Sequence, residues 1–360
     1  MRARAENSCP HIVKLITVLM PLDEIVRESQ IIQMATADAA SRVGTKRSLP
    51  WRKVGIALLL LFVAFLVFAW LRPLTVLRSV GRAVLWTAGI HSKYTQVGAY
   101  RVHYFEGGDG PPVVFVHGLG AESLNWVQPM IGFRRHFHVY GVDLLGHGQS
   151  EQPDIAYSIE QQSEMLRLFL ATQHLSSADF VGVSMGGWIV LKLATEHPEV
   201  VNRLVIADAA GLRFSTTVSA ETFLPRTPTE VTAFMALLTP RQYKLPSPVV
   251  RDFLHQVARN AWIIRRIFAS FFTYQDVLDG RLQSVNIPVL IIWGKEDRLI
   301  PPSVGDRMKL QLPRSSLVLC SDAGHLAIFE CWNKIEPEVL TFLSAPEPPP
   351  SYVLEVASGQ

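Results

Sequence analysis

One serine of the chain lies in a pattern that favours nucleophilic catalysis. Ser184 is the centre of Gly182-Val183-Ser184-Met185-Gly186, between an apolar run typical of a buried strand and a helical pattern. A G-x-S-x-G sequence in that context predicts a sharp turn that presents the serine hydroxyl above the end of the strand. The glycines are needed because only a residue without a side chain lets the strand and the helix approach so closely. Ser184 is therefore predicted to be a catalytic nucleophile.

A serine hydroxyl is a weak nucleophile until a neighbouring base removes its proton. His325 is predicted to be that base. It lies C-terminal to Ser184, directly after Gly324 and shortly after the strand-like run Leu317–Leu319. A base in this position gives the chain order in which the histidine comes last.

The acid that orients the histidine is predicted to be Asp297, which follows the strand-like run Val289–Trp293. A carboxylate there would fix the imidazole tautomer and stabilise the imidazolium. Two other carboxylates are alternatives: Glu296, whose side chain should point elsewhere, and Asp208, which ends the run Leu204–Ala207. Asp208 is the main alternative because it also lies at the end of a strand.

Backbone donors for the oxyanion are predicted in two places. The loop Val116-His117-Gly118-Leu119-Gly120 follows a strand-like run and matches the loop that supplies one N–H, that of Leu119. The other N–H is that of Met185, directly after the nucleophile. His117 is expected to brace the backbone of its loop rather than to react. The glycine-containing segment from Asp143 to Ser150 is interpreted as a structural turn, because no Walker lysine accompanies it.

The elements that must position these residues alternate along the chain. Short continuous apolar runs at 113–116, 139–142, 180–183, 204–207, 289–293 and 317–319 alternate with helical patterns at 158–174, 185–197 and 302–312. Such runs are typical of strands that are buried on both faces. The sequence therefore predicts an α/β fold with a doubly wound, mostly parallel sheet, whose core occupies residues 94–210 and 283–344.

Three segments lie outside that alternation. Residues 211–282 contain the helical patterns 229–238 and 248–272 and predict an inserted helical cap over the carboxyl edge of the sheet, where open α/β folds bind ligands. Residues 74–93 are interpreted as a short basic connector. Residues 345–360 begin Ala-Pro-Glu-Pro-Pro-Pro-Ser, which predicts a disordered tail.

The run from Val54 to Leu71 contains no charged residue and is just long enough to cross a bilayer. It predicts a retained single-pass transmembrane helix, and a cleaved signal peptide is the alternative. Five basic residues within 42–53, against three within 72–82, favour a catalytic domain on the non-cytoplasmic side. Residues 1–53 are interpreted as an N-terminal extension, with disorder as an open possibility.

Charge and cysteine content exclude other classes of function. The basic excess lies in the N-terminal extension, so the net charge of +3 leaves the large domain close to neutral and argues against nucleic acid as a partner. Cys9, Cys320 and Cys331 have neither disulfide-framework nor zinc-ligand spacing. No metal and no organic cofactor is expected, and the sequence does not determine an oligomeric state.

The motifs together resemble the α/β-hydrolase fold superfamily between about Tyr94 and Leu343. The segments that carry the resemblance are His117-Gly118, Asp143-x-x-Gly146-x-Gly148-x-Ser150, Gly182-x-Ser184-x-Gly186-Gly187, Gly294-x-x-Asp297 and Gly324-His325. The resemblance implies Ser184 as nucleophile, Asp297 as acid and His325 as base. Relatives commonly have Glu-x-Pro after the histidine, where this chain has Glu330-Cys331-Trp332. That difference affects the start of the last helix more than the chemistry.

A narrower resemblance, to the membrane-bound monoacylglycerol lipases of the α/β-hydrolase-domain group, rests on the anchor, on Leu224–Glu230 and on Ile291–Asp297. We therefore expect a membrane-anchored serine hydrolase that cleaves carboxylic esters, with a small or lipid-like ester such as a monoacylglycerol as substrate and the bilayer as partner. Two other functions stay open. One is a C–C bond hydrolase of ring-cleavage products, which shares the Ser-x-Gly-Gly elbow and a helical cap. The other is a catalytically inactive, membrane-tethered binding module.

Overall fold

The computed structural model describes residues 51–271, 273, 275–347 and 349–357. The chain divides into two compact units, Met1–Leu66 and Val67–Gln360. The N-terminal extension expected over residues 1–53 lies almost entirely outside the described residues. What is described of the first unit, from Trp51 onward, is helical and belongs to the first helix, α1 (Trp51–Leu71).

Helix α1 has the length and composition of a membrane span. Within it, the 19 residues from Lys53 to Leu71 are apolar enough to cross a bilayer, and none of them is buried by the protein. A soluble core helix would be mostly buried, so its exposure is the property that distinguishes α1 from such a helix. The span matches the run predicted over 54–71, and a signal sequence would share the same composition.

The second unit is built on a nine-stranded sheet with the order β1-β2-β4-β3-β5-β6-β7-β8-β9. Strands β1 and β2 pair antiparallel, as do β2 and β4, and every other pairing is parallel. The strands are β1 (His91–Val97), β2 (Tyr100–Gly107), β3 (Pro112–Val116), β4 (His138–Val142), β5 (Ala178–Val183), β6 (Val201–Ala207), β7 (Val289–Gly294), β8 (Ser315–Cys320) and β9 (Val353–Val356). The mostly parallel α/β sheet expected from the sequence is thereby confirmed.

Helices connect the strands and cover both faces of the sheet. They are α2 (Pro73–Thr87), α3 (Val127–Phe133), α4 (Ile159–Thr172), α5 (Met185–Glu196), α6 (Pro228–Leu238), α7 (Ser247–Phe271), α8 (Pro302–Gln311), α9 (Ala327–Glu330) and α10 (Trp332–Ser344). Short 3-10 turns lie at Ser123–Trp126, Pro198–Val200, Ala220–Phe223 and Leu282–Ser284.

The core has two layers, one on each face of the sheet. Apolar side chains of α4, α5 and α8 pack on one face, and those of α2, α3 and α10 pack on the other. Every residue of β5 and β7 is buried. This two-sided burial is why these strands read as continuous apolar runs rather than as an alternating pattern.

Between β6 and β7 lies a helical insert that contains α6 and α7 and lies where the cap was expected. Its side chains Leu224, Ile264 and Phe268 form a small cluster against which Leu119 packs. The backbone of Gly324 lies so close to the end of α6 that a Cβ on it would be 2.7 Å from the Leu238 carbonyl oxygen. The insert therefore contacts the loops that follow β3 and β8.

Two expectations for the second unit were wrong. The expected connector over residues 74–93 is instead the helix α2 and the start of β1, because Leu85 and Ile90 are buried in the core. The expected disordered tail contains β9, which pairs in parallel with β8. Beyond the prolines, the segment Tyr352–Val356 supplies backbone partners to the open edge of β8, and the N–H of Leu317 donates to the Tyr352 carbonyl at 3.0 Å.

Candidate active site

Ser184 lies on a strained turn at the junction of β5 and α5. Its φ is +55° and its ψ is −119°, a left-handed conformation that is rare for a residue with a side chain. Its N–H donates to the Ala207 carbonyl at 2.9 Å, and its carbonyl accepts the N–H of Trp188 at 3.1 Å. A Cβ on Gly182 would lie 2.7 Å from the Gly186 carbonyl oxygen, so the tight approach of strand and helix requires glycine there.

Ser184, His325 and Asp297 form one chain of hydrogen bonds. The Ser184 Oγ lies 2.8 Å from His325 Nε2, and His325 Nδ1 lies 2.8 Å from Asp297 Oδ2. The imidazole is almost completely buried. The other oxygen of Asp297 accepts the N–H groups of Leu299 and Ile300 at 2.8 and 2.9 Å. This carboxylate is thus fixed by its own loop, with one oxygen left for the histidine.

The two alternative acids point elsewhere. The Glu296 side chain is 45% exposed and lies 3.9 Å from Arg298, away from the histidine. Asp208 is fully buried, but its two oxygens accept the N–H groups of Gly294 and Ala327, at 2.9 and 3.1 Å. Burial, and next the negative charge of Asp297, raise the pKa of Asp208.

The loop after β3 lies against the serine. A Cβ placed on Gly118 would be 3.2 Å from Ser184 Cβ and 3.8 Å from its Oγ. Within the described part of the chain, the N–H of Leu119 has no hydrogen-bond acceptor, and Met185 is the first residue of α5, where its N–H has no intrahelical partner. Leu119 directly follows Gly118, which lies against the serine, and Met185 directly follows the serine itself.

His117 braces that loop, as the sequence indicates. Its Nε2 accepts the N–H of Leu144 at 3.1 Å, and its Nδ1 donates to the Gly118 carbonyl at 2.8 Å. Burial lowers the pKa of His117, which keeps the ring neutral. A neutral ring with one donor and one acceptor satisfies both neighbouring loops at once.

A second Ser–His–Asp chain lies away from the elbow, and no motif in the sequence predicts it. The Ser92 Oγ lies 2.8 Å from His103 Nε2, and His103 Nδ1 lies 2.7 Å from Asp143 Oδ2. Burial works against ionisation, but the hydrogen bond and charge of His103 lower the pKa of Asp143 to about 2. Asp143 also accepts the N–H groups of Ser123 and Gln149, so it holds the turn that begins at this residue. Ser92 lies on an ordinary strand, with no elbow to present it.

Glu330 supports the histidine loop from the other side. Its Oε2 accepts the N–H of Gly324 at 2.8 Å, and its Oε1 accepts the hydroxyl of Thr239, at the end of α6. The Glu330 side chain is almost buried and also lies 3.8 Å from Arg241. The segment Glu330-Cys331-Trp332 differs from Glu-x-Pro only at Trp332, and its glutamate joins the histidine loop to the insert.

Nothing in the described residues is arranged as a metal centre: no group of three or more His, Cys, Asp or Glu side chains could hold an ion. Cys320 and Cys331 are buried as free thiols.

Comparison with known proteins places this geometry in a family. The sequence matches the alpha/beta hydrolase family over residues 113–335, more than half of the chain. The chain belongs to the alpha/beta hydrolase family. The match begins in β3 and ends in α10, so it includes the serine elbow, the acid loop and the histidine loop.

Individual relatives of this hydrolase differ in the reactions that their names record. Monoacylglycerol lipase ABHD6 of Bos taurus is 24% identical over 282 residues, which cover 72% of this chain and 84% of the lipase. The 2-hydroxy-6-oxo-6-(2'-aminophenyl)hexa-2,4-dienoic acid hydrolase of Metapseudomonas resinovorans is 26% identical over 267 residues, which cover 70% of this chain and 90% of that enzyme. A solved bacterial membrane phospholipase A superposes with a TM-score of 0.71 at 27% identity, covering 82% of this chain and 98% of its own.

Proposed function

We propose that the protein is a membrane-anchored serine hydrolase that cleaves carboxylic esters of lipid-like alcohols, such as monoacylglycerols. The observation that carries the proposal is the unbroken hydrogen-bond chain from Ser184 through His325 to Asp297, with both distances at 2.8 Å. A serine so connected is activated for nucleophilic attack.

Acyl transfer to Ser184 follows from this geometry. The Ser184 Oγ attacks the ester carbonyl carbon while its proton passes to His325 Nε2, and Asp297 stabilises the resulting imidazolium. The N–H groups of Leu119 and Met185 donate to the carbonyl oxygen as it becomes an oxyanion. The intermediate collapses when His325 returns the proton to the departing alkoxide, which leaves an acyl-serine and a free alcohol.

Hydrolysis of the acyl-enzyme repeats the same steps with water as nucleophile. His325 accepts a proton from the water, whose oxygen attacks the acyl carbon, and the second oxyanion is bound by the same donors. The proton then returns to Ser184 Oγ, which restores the enzyme and releases a carboxylic acid. No step requires a metal or an organic cofactor.

A lipid-like ester is supported by the apolar surroundings of the site and by α1. Leu119, beside the serine, packs on the apolar cluster of the insert. The exposed apolar helix α1 would hold the enzyme at a bilayer, where such esters are concentrated. In structural superposition the membrane phospholipase A covers 82% of this chain, whereas a serine hydrolase involved in carbazole degradation, at 26% identity, covers 71%, which supports a lipid substrate.

The experiment is labelling of the detergent-solubilised full chain with a fluorophosphonate, which reacts only with an activated serine. Wild type is compared with Ser184→Ala and with Ser92→Ala, which removes the serine of the other Ser–His–Asp chain. We expect labelling of wild type and of Ser92→Ala and none of Ser184→Ala. Absence of labelling in folded wild type would overturn the proposal in favour of an inactive, membrane-tethered binding module.

Substrate class is tested on the same preparations. Monoacylglycerols, short p-nitrophenyl esters and a dienoic ring-cleavage product are offered to wild type, with Ser184→Ala as the blank. Turnover of the monoacylglycerols at the highest kcat/KM supports the lipid ester. Preferential turnover of the ring-cleavage product would assign a C–C bond hydrolase instead.

A further inference from the structure

The outer face of helix α7 is basic and contains no acid. Its exposed residues between 250 and 270 are Arg251, His255, Ala258, Arg259, Trp262, Arg265 and Ala269. The single carboxylate of α7, that of Asp252, is buried and points toward α2. Arg265 pairs with Glu221, whereas no carboxylate of the described residues pairs with Arg251 or Arg259. We call the residues Arg251, His255 and Arg259 the basic row. Its positive charge is that of the two arginines, because His255 Nδ1 accepts a hydrogen bond from the Arg72 guanidinium at 3.2 Å.

The basic row begins at the end of the apolar helix. The Arg251 guanidinium donates to the Trp70 carbonyl at 3.0 Å, one residue before α1 ends. If α1 spans a bilayer, this carbonyl lies where the chain leaves the hydrocarbon, at the level of the lipid headgroups. The first arginine of the row is thereby fixed at headgroup level by a direct hydrogen bond.

The start of helix α2 also contacts α7. Both oxygens of Asp252 accept from the start of α2: one from the Leu74 N–H at 3.0 Å and the other from the Arg72 guanidinium at 3.3 Å. One turn further on, Arg78 donates to the Gln256 side chain at 2.5 Å. These three contacts, at Asp252 and one turn later at Gln256, hold α7 against the first residues of α2.

Helix α2 also exposes an apolar stripe. Leu77, Val80 and Val84, at helical spacing, are 60%, 54% and 42% exposed. An exposed apolar stripe on a helix that begins two residues after an apolar span suits the interfacial layer of a bilayer better than water. A basic row with a tryptophan beside it suits the anionic headgroups of the same layer.

We propose that the basic row of α7 docks on the headgroups of an anionic phospholipid bilayer, so that the helical insert lies against the membrane. The inference rests on the proposed anchoring through α1 and adds a second, electrostatic contact to it. Because α1 already holds the chain at the bilayer, docking of α7 is intramolecular and weak charge contacts suffice. The insert, whose apolar cluster packs on Leu119 beside the serine, would then face the layer that contains a lipid ester.

The test reads the position of α7 without any catalysis. Ala258, on the outer face between His255 and Arg259, is changed to Cys in a Cys9→Ser background and labelled with an environment-sensitive fluorophore, since Cys320 and Cys331 are buried. The full chain is reconstituted into phosphatidylcholine vesicles or into an equimolar mixture with phosphatidylglycerol. We expect blue-shifted emission in the anionic vesicles and its reversal at high salt, because salt screens the attraction.

A charge-reversal variant tests whether the basic row causes the blue shift in the anionic vesicles. Arg259→Glu is expected to weaken the docked state by about fivefold or more, since one basic residue near an anionic surface contributes about 1 kcal/mol. The matched control is Arg314→Glu, an exposed arginine beside β8 whose guanidinium donates to the Asn286 carbonyl. Equal emission in both lipids, or an equal response of the two variants, would overturn the proposal.

Anchoring through α1 and the hydrolase function are tested by separate measurements. Loss of the chain from the vesicles after an alkaline wash would show that α1 does not anchor it, whatever the fluorophore reports. Absence of ester turnover would overturn the hydrolase function and leave the emission result unchanged. With both intact, wild type is expected to hydrolyse a bilayer-resident ester faster in the anionic vesicles, whereas a water-soluble ester shows no such gain.

Discussion

Asp208 accepts the backbone N–H of Gly294, three residues before Asp297, at 2.9 Å. Its second oxygen accepts the N–H of Ala327, two residues after His325, at 3.1 Å. A carboxylate that does not touch the histidine thus joins the loop that carries the acid to the loop that carries the base. The two loops are also in direct contact, since a Cβ on Gly294 would lie 2.0 Å from the Gly324 carbonyl oxygen.

Asparagine substitutions should distinguish the catalytic role of Asp297 from the structural role of Asp208. Asp297→Asn is expected to lower kcat by about four orders of magnitude with little loss of stability, because the wrong tautomer of His325 is then favoured. Asp208→Asn should instead lower the free energy of unfolding by about 1–3 kcal/mol, because one buried N–H loses its acceptor. Ester turnover and denaturant titration of both variants provide the measurement. A larger loss of kcat for Asp208→Asn than for Asp297→Asn would assign the acid to Asp208.

Glu330 is expected to act as a positioning residue for His325. Glu330→Ala leaves the Gly324 N–H and the Thr239 hydroxyl without their acceptor, and displacement of the histidine loop should lower kcat by up to about a hundredfold. Because substrate binding is not removed, KM should change less than kcat, and the pH profile of kcat should shift with the environment of the histidine. Glu347→Gln, at an exposed position, is the control. An unchanged kcat for Glu330→Ala would contradict the role.

His147 is expected to make the folded protein more sensitive to acid below pH 6.5. Burial lowers the pKa of His147 to about 3, from 6.5 for a free histidine. Between about pH 3 and 6.5 the unfolded chain therefore binds a proton that folded His147 does not bind, so His147 alone lowers the free energy of unfolding by about 1.4 kcal/mol per pH unit in this range. The raised pKa values of the buried carboxyls Asp179, about 7, and Asp208 act in the opposite direction, so the contribution of His147 is read from the difference between wild type and a variant. His117 contributes in the same direction as His147, since its pKa is also lowered.

The measurement is denaturant unfolding of wild type and His147→Phe between neutral pH and about pH 4. The variant keeps an aromatic ring at this position but cannot titrate, so its stability should fall less steeply below pH 6.5. Parallel curves for the two proteins would contradict the assignment of the acid sensitivity to His147.

Lys192 joins the helix after the nucleophile to the segment that returns from the insert. Its ammonium, which is 3% exposed, lies 2.6, 2.7 and 3.3 Å from Glu160, Glu196 and Asp276. Lys192→Met would leave the nearly buried Asp276 without its cation, whereas Glu196 keeps its pair with Arg281. The substitution is expected to cost about 3 kcal/mol of stability. Lys295→Met, which breaks an exposed pair with Glu355, should cost less than about 1 kcal/mol. Equal losses in thermal unfolding would show that the Lys192 cluster is no more than a surface pair.

The sequence predicted the residues that the structure brings together because one rule governs them. Ser184, Asp297 and His325 each follow a strand that reads as a continuous apolar run, and the carboxyl ends of parallel strands share one edge of the sheet. The rule fixes the edge but not which side chain reaches the histidine. Only the structure distinguishes which of Asp208 and Asp297 contacts the histidine, because the hydrogen bonds of Asp208 are made to backbone groups 86 and 119 residues away.

Local patterns failed where tertiary contacts decide. The connector expected over residues 74–93 contains the helix α2, which is stabilised by the burial of Leu85 and by a hydrogen bond from its first turn to Asp252 of the insert. The tail was expected to be disordered because of its prolines, but the four residues Val353–Val356, which follow the prolines, form a strand that pairs with β8. A four-residue strand has too little pattern of its own to be recognised without its partner.

The ninth strand contacts both loops that carry the acid and the base of the site. The N–H of Ser321 donates to the Val356 carbonyl at 2.9 Å, its hydroxyl donates to Glu355 at 2.7 Å, and Lys295 pairs with the same carboxylate at 2.8 Å. Ser321 belongs to the loop that carries His325, and Lys295 to the loop that carries Asp297. Detachment of β9 from the edge of the sheet would therefore remove a contact from both loops at once, although β9 contributes no residue to the Ser184–His325–Asp297 chain.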